Sequence, residues 1–98
     1  MSTGSRRSSN GLEPRRKKVL MRAWHRGIKE MDLILGHYVD AKIETMSVGE
    51  LDDLEQLMDQ SDRLLVTWFT NEKPVDAAFD TVVYRNIRAF HQARSFEF

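Results

Sequence analysis

Apolar residues recur at intervals of three and four along most of this chain, and turn or cap residues interrupt that spacing at four points. This spacing places an apolar stripe along one side of an α-helix. No stretch alternates between apolar and polar residues as a half-buried strand would. The four interruptions define five helical segments with short connections, and an antiparallel bundle is the simplest way to bury all five stripes. The sequence therefore predicts an all-α fold, a small five-helix antiparallel bundle.

The spacing also predicts which residues face the core. Ser47 and Glu50 have the form of a capping box that starts the third helix, and Ser61 or Asp62 would cap the fourth. The last helix is expected from about Asp76, after the Pro74 turn. The predicted inward residues are Val19, Leu20, Ala23 and Trp24; Met31, Ile34, Leu35, Tyr38 and Val39; Leu51, Leu54, Leu57 and Met58; Leu64, Leu65, Trp68 and Phe69; and Phe79, Val82, Val83, Ile87 and Phe90.

A chain of 98 residues supports one modest core, so we expect a single helical domain over residues 15–92. Residues 1–14 are rich in serine, arginine and glycine, a composition that cannot bury enough surface to order itself, and they are predicted to be a disordered basic tail. Residues 93–98 are assigned as a C-terminal tail. Its Phe96 and Phe98 have no role that the sequence reveals.

Charge is unevenly distributed, although the net charge is zero. Residues 1–29 hold nine of the fifteen basic residues and only Glu13 among the acids, which makes this segment +8 and the rest −8. A basic arm that includes Arg15 to Lys18 could contact nucleic-acid phosphates. However, no aromatic residues interleave with that stretch, so nucleic acid is not the expected partner.

Several classes of site are missing from the sequence. Without cysteine there is no thiolate nucleophile and no thiolate metal ligand. No phosphate-binding glycine loop occurs, and His25, His37 and His91 lack metal-ligand spacing. The acid pairs Asp52–Asp53 and Asp59–Asp62 fit the solvated face of a helix better than a catalytic pair. We therefore expect no enzyme, no catalytic or metal site and no stably bound cofactor.

Location is constrained by the same kind of argument. No run approaches the roughly 20 apolar residues of a transmembrane helix, and no apolar segment follows the basic start as in a signal peptide. We expect no membrane insertion and a bacterial cytoplasmic location, with the mitochondrial matrix as second choice.

The most informative stretch runs from Trp24 to Asp32. Gly27 follows a helical run and is expected to adopt a left-handed cap, so the chain should turn there. Arg26 and Glu30 lie four residues apart on either side of the break. The ordinary interpretation of that pair is a helix cap with a surface ion pair, which contributes little.

The stretch Arg26-Gly27-Ile28-Lys29-Glu30 resembles the Arg-Gly-x-x-Glu signature of the succinate dehydrogenase assembly factors, also called FAD assembly factors. The acid and apolar run of residues 31–36 is similar to the start of that family's second helix. Trp68 in its helix, followed by the Pro74 turn, resembles a further element of the family. The resemblance covers about residues 17–89.

This resemblance implies a five-helix assembly factor that binds the flavoprotein subunit of succinate dehydrogenase or fumarate reductase and promotes its covalent flavinylation. It implies interface roles for Arg26, Gly27 and Glu30, with His25 and Asp32 as secondary contacts. The FAD would belong to the client, and the factor is expected to be a monomer.

Two other functions remain compatible with the residues. A small helical protein can bind and inhibit another protein, as an antitoxin does, and a basic arm can bind nucleic acid. The identity of a captured partner distinguishes the first from an assembly factor. Salt-sensitive binding to DNA or RNA, lost on removal of residues 1–18, identifies the second.

Overall fold

The structure, a computed structural model, describes residues 11–94 and contains five α-helices and one short 3-10 turn in that range. No strand occurs among these residues, which confirms the all-α prediction. The five helices are α1 (Pro14–Trp24), α2 (Lys29–Lys42), α3 (Val48–Met58), α4 (Asp62–Phe69) and α5 (Val82–Arg94), and the 3-10 turn is Ala77–Phe79.

The helices pack around α2 and α3. Helix α1 contacts α2 and α3, α2 also contacts α4 and α5, and α5 also contacts α3. Two ion pairs fix the relative direction of α1 and α3, because Arg15 pairs with Asp52 while Arg22 pairs with Asp59. Both partners advance along the chain together, so α1 and α3 run in the same direction.

Helices α1, α2 and α3 bury every residue that the spacing placed inward. In α4, Leu65, Trp68 and Phe69 are buried, whereas Leu64 is only half-buried. These residues form one continuous core with Val83, Tyr84 and Ile87 of α5. The prediction of one apolar stripe per helix is therefore confirmed for the first four helices, apart from Leu64.

The last helix begins later than predicted. Asp76 caps the 3-10 turn through a hydrogen bond from the Ala78 amide, and α5 starts only at Val82, where the Thr81 hydroxyl accepts from the Tyr84 amide. Val82 was expected to face inward but is 63% exposed, because the separate turn changes the phase of the helix. Tyr84 takes the buried position instead.

Both predicted caps are present. Ser47 and Glu50 exchange hydrogen bonds as a capping box at the start of α3, and Ser61 accepts from the Leu64 amide at the start of α4. These bonds satisfy backbone amides that have no partner within the helix.

The predicted tails lie mainly outside the described residues. Phe96 and Phe98 are among the residues outside, and Ala93 and Arg94 belong to α5. None of the described helices has the length and apolar character needed to cross a bilayer.

Candidate functional site

The chain turns sharply between α1 and α2, and we call residues 25–32 the corner. His25 ends α1 with φ −127° and ψ 50°, and Ile28 caps α2 in an extended conformation. Gly27 has φ +99°, as the sequence predicted. A Cβ atom at Gly27 would meet nothing within 4 Å, so the backbone angle, and not crowding, requires glycine.

Arg26 points into the protein. Its Nε donates to Asp62 Oδ1 at 2.8 Å, while the two terminal nitrogens donate to the carbonyl oxygens of Met58 and Gln60 at 2.5 and 3.0 Å. The Arg26 side chain is only 10% exposed and that of Asp62 16%. The guanidinium therefore fastens the corner to the connection between α3 and α4.

Asp32 secures the corner from the other side. Its Oδ1 accepts a hydrogen bond from the Arg26 backbone amide at 2.6 Å. This bond closes the turn between the two helices, because it joins Arg26, just after the end of α1, to Asp32 in the first turn of α2. Asp32 is half-buried and is thus part of the turn itself.

Glu30 differs from both of these residues. The four-residue separation suggested an ion pair between Glu30 and Arg26, but in the structure Arg26 forms its ion pair with Asp62. Within residues 11–94 the half-buried Glu30 carboxylate has no hydrogen bond or ion pair, and His25 is exposed. The surface-pair interpretation of Arg26 and Glu30 is therefore wrong. Among the described residues, none binds the Glu30 carboxylate.

Trp24 fixes the distance between the two helices that meet at the corner. Its indole lies against Gly36 of α2, where a Cβ atom would overlap three ring carbons, the farthest at 2.8 Å. It also makes an edge-on contact with the His37 ring, with centroids 5.0 Å apart. Gly36 therefore permits a close approach that places the end of α1 directly over α2.

An open groove of about 410 Å³ lies beside the corner. It is bounded by both ends of the α3–α4 connection and by the end of α1. Its lining residues are Arg22, His25, Arg26, Met58, Asp59, Gln60, Ser61 and Asp62. A larger groove of about 500 Å³ shares no residue with the corner.

Sequence reasoning missed the role of Asp62. Asp59 and Asp62 were both interpreted as solvated carboxylates. Asp59 is indeed exposed and pairs with Arg22, but Asp62 pairs with the inward-facing Arg26. Only the fold brings residues 26 and 62 together, so local spacing carried no signal for the contact. Its one clue was an aspartate directly after the Ser61 cap, where a carboxylate is also favoured by the helix dipole.

The arginines of residues 11–29 bind acceptors of the protein itself. Arg15 pairs with Asp52 and Glu55 on α3, and Arg16 pairs with Glu13 and donates to the Ile43 carbonyl. The charge difference between the two parts of the chain therefore helps to join α1 to α3. No group of three or more histidine, aspartate or glutamate residues suited to a metal ion occurs within residues 11–94.

The corner lies within a region that matches a known family. Residues 17–91 match the Sdh5 family, described as "Flavinator of succinate dehydrogenase". The chain is 31% identical over 86 residues to the FAD assembly factor SdhE of Acetobacter pasteurianus, covering 88% of this chain and 79% of that protein.

More distant relatives are mitochondrial. The chain is 30% identical over 77 residues to succinate dehydrogenase assembly factor 2 of Dictyostelium discoideum, covering 79% of this chain and 55% of that protein. It is 27% identical over 84 residues to assembly factor 2-B of Drosophila melanogaster, covering 84% and 54%. The chain thus spans about half the length of these two relatives. No solved structure matches it significantly.

Proposed function

Because the chain belongs to the Sdh5 family of succinate dehydrogenase flavinators, we propose that it binds the flavoprotein subunit of succinate dehydrogenase or fumarate reductase and promotes covalent attachment of FAD to it. The observation that carries this proposal is the family match over residues 17–91, which contains the entire corner with Arg26, Gly27 and Glu30. The FAD assembly factor of Acetobacter pasteurianus supports the same assignment.

The corner is the proposed docking surface. His25 and Gly27 are exposed, and Glu30 offers a carboxylate that has no partner among residues 11–94. These features support their proposed role in meeting the client. A cationic group of the flavoprotein is the natural complement to Glu30. Arg26 and Asp32 contribute to the same surface through the shape of the turn that they hold.

The proposed mechanism is binding without chemistry by the factor. The corner provides no nucleophile held by a general base, and its Arg26 and Asp32 are engaged in holding the turn. Binding energy at the corner would favour the client conformer in which the acceptor side chain and the flavin are correctly placed. In this proposal the FAD belongs to the client, and the factor holds no cofactor stably and is not an enzyme.

The location and partner set are proposed on the same basis. The relatives comprise a bacterial FAD assembly factor and mitochondrial assembly factors, so we assign this chain to the bacterial cytoplasm, with the mitochondrial matrix as the alternative. It would act as a monomer, without nucleic acid and without membrane insertion.

The direct test is covalent flavin in cells. Denatured extracts of a strain that lacks the gene are separated by electrophoresis and inspected for flavin fluorescence, with and without a restored copy. We expect the band at the size of the flavoprotein to disappear on deletion and to return on restoration. An unchanged band would refute the proposed activity, and capture of a toxin or transcription factor would then favour the inhibitor alternative.

A further inference from the structure

The guanidinium of Arg26 uses three of its five N–H donors inside the protein. Met58 is the last residue of α3, Asp62 is the first of α4, and Gln60 lies between them. Arg26 donates to all three, so one side chain joins the end of one helix, the connecting loop and the start of the next. The planar arrangement of arginine donors suits three acceptors that are spread around it in this way.

A partner that took over the three engaged donors would have to break those bonds. The side chain is 10% exposed, and its loss would leave two backbone carbonyls and the Asp62 carboxylate without their donor. Buried acceptors without donors are costly. A client contact that draws Arg26 away from these acceptors is therefore unfavourable in this conformation.

The backbone of Arg26 is held as firmly as its side chain. Its amide donates to Asp32 on α2, while its side chain is tied to the α3–α4 connection. Gly27 follows with its positive φ, and Glu30 lies in the first turn of α2. The orientation of Gly27 and Glu30 relative to the rest of the bundle thus depends on both attachments of Arg26.

We infer that Asp62 is a positioning residue of the docking corner, which acts through Arg26 to set where Gly27 and Glu30 meet the flavoprotein subunit. Arg26 then works within the chain and not as a contact to the client. This inference rests on the proposed function and assigns a docking role to a residue outside the Arg26–Glu30 stretch.

The two roles of Arg26 predict opposite results at Asp62. If Asp62 acts through Arg26, removal of the Asp62 carboxylate impairs docking as removal of the arginine fork does. The double variant then loses little more affinity than either single variant. If Arg26 contacts the client, Asp62 merely competes for it, so loss of the carboxylate leaves docking unchanged or strengthens it. A double-mutant cycle separates these cases.

The experiment measures the affinity of the purified full chain for the flavoprotein subunit prepared without covalent FAD, by calorimetry. The variants are Asp62→Asn, Arg26→Lys and the double variant. Asp59→Asn is the matched control, since it removes the same charge from the same connection but breaks only the exposed pair with Arg22.

Circular dichroism sets an assay temperature at which every variant is folded. A residue that merely stabilises the fold would lower the melting temperature without changing the affinity of folded protein.

We expect Asp62→Asn and Arg26→Lys each to raise the dissociation constant by roughly tenfold. The double variant should raise it by no more than about twice the larger of these two fold-changes. Asp59→Asn should bind as wild type, and Asp62→Glu, which keeps the carboxylate, should recover most of the affinity. If Asp62→Asn binds with wild-type affinity while Arg26→Lys binds more weakly, the inference is overturned but the proposed function is not. No binding by the unsubstituted chain would overturn the proposed function with it.

Discussion

Gly27 and Gly36 both exclude a side chain, but for different physical reasons. Gly27 has φ +99° and open space around it, so a substitution there strains the backbone. Gly36 has an ordinary helical backbone within α2 and is closed off by the Trp24 indole. The first glycine shapes the corner, and the second sets how closely α1 approaches α2.

Gly36→Ala should lower the free energy of unfolding by about 1–3 kcal/mol, because the added methyl group overlaps the Trp24 ring. The sign is informative, since glycine to alanine within an unobstructed helix normally stabilises by up to about 1 kcal/mol. Gly49→Ala in α3 is the control: its nearest neighbour is Ser47 Oγ at 3.9 Å, so that change should not destabilise. Urea denaturation measures both. A stabilised Gly36→Ala would contradict the packing described for Trp24.

Glu30→Gln should leave the fold intact and impair flavinylation. The carboxylate has no partner within residues 11–94, so its loss should shift the melting temperature by no more than about 3 °C. Loss of its charge should nevertheless weaken client binding by roughly tenfold. In-gel flavin fluorescence of the complemented deletion strain and a melting curve of the purified variant are the two measurements. Glu72→Gln, an exposed change of the same kind after α4, is the control. Normal flavin levels with Glu30→Gln would remove Glu30 from the docking surface.

At the scale of helices, α1 and α3 are joined by ion pairs that repeat along their length. Arg15 donates to Glu55 from Nε and from one terminal nitrogen, and it also donates to Asp52. Seven residues further along each helix, Arg22 donates to Asp59. The hydrogen bonds from Arg15 lower the pKa of Glu55. They also raise the pKa of Arg15, so the pair is charged across the working pH range.

The lowered pKa of Glu55 predicts that the protein loses stability in acid. As the pH falls through the ordinary glutamate range near about 4.3, the unfolded chain takes up a proton at Glu55 before the folded chain does. The stabilisation is therefore complete above that range and is lost as the pH falls through the folded pKa. Glu55→Gln should reduce the pH dependence of the unfolding free energy between about pH 5 and 3. Asp53→Asn on the same helix, outside the ion pairs of residues 11–94, is the control. The same pH slope in Glu55→Gln and wild type would show that the Arg15 pair does not contribute.

At the scale of the whole molecule, the opposite charges of the two parts of the chain meet within the bundle. Arg15, Arg16, Arg22 and Arg26 all donate to acceptors of the protein itself. Cations held in this way are poorly placed to follow a phosphate backbone. The basic character of residues 11–29 thus contributes to folding as well as to surface charge.

We therefore expect the full chain not to retard a short DNA duplex or an RNA of similar length, even at roughly 50 mM salt, where phosphate contacts are strongest. Electrophoretic mobility provides the measurement, with light scattering of the same sample to check for a monomer of 11.5 kDa. Retardation that vanishes in high salt would restore the nucleic-acid alternative.

The sequence was most informative where local interactions decide the structure. The Ser47–Glu50 capping box, the Ser61 cap and the positive φ of Gly27 each depend on a few neighbouring residues, and all three were predicted. The start of α5 was placed too early because Phe79 and Val82 continued the helical spacing. The Asp76 cap and the Thr81 cap act separately there, and local spacing did not distinguish one helix from a turn followed by a helix.

By itself, the sequence determined the helical fold, the inward stripes of α1 to α3 and the position of the corner, since periodicity, caps and glycine conformations are properties of adjacent residues. Only the tertiary structure decided that Arg26 binds Asp62 and not Glu30, that Gly36 receives Trp24, and that the basic and acidic parts of the chain pair between α1 and α3. These contacts join residues far apart in sequence, so they exist only after the helices have packed. The tertiary structure leaves the Glu30 carboxylate unpaired within residues 11–94.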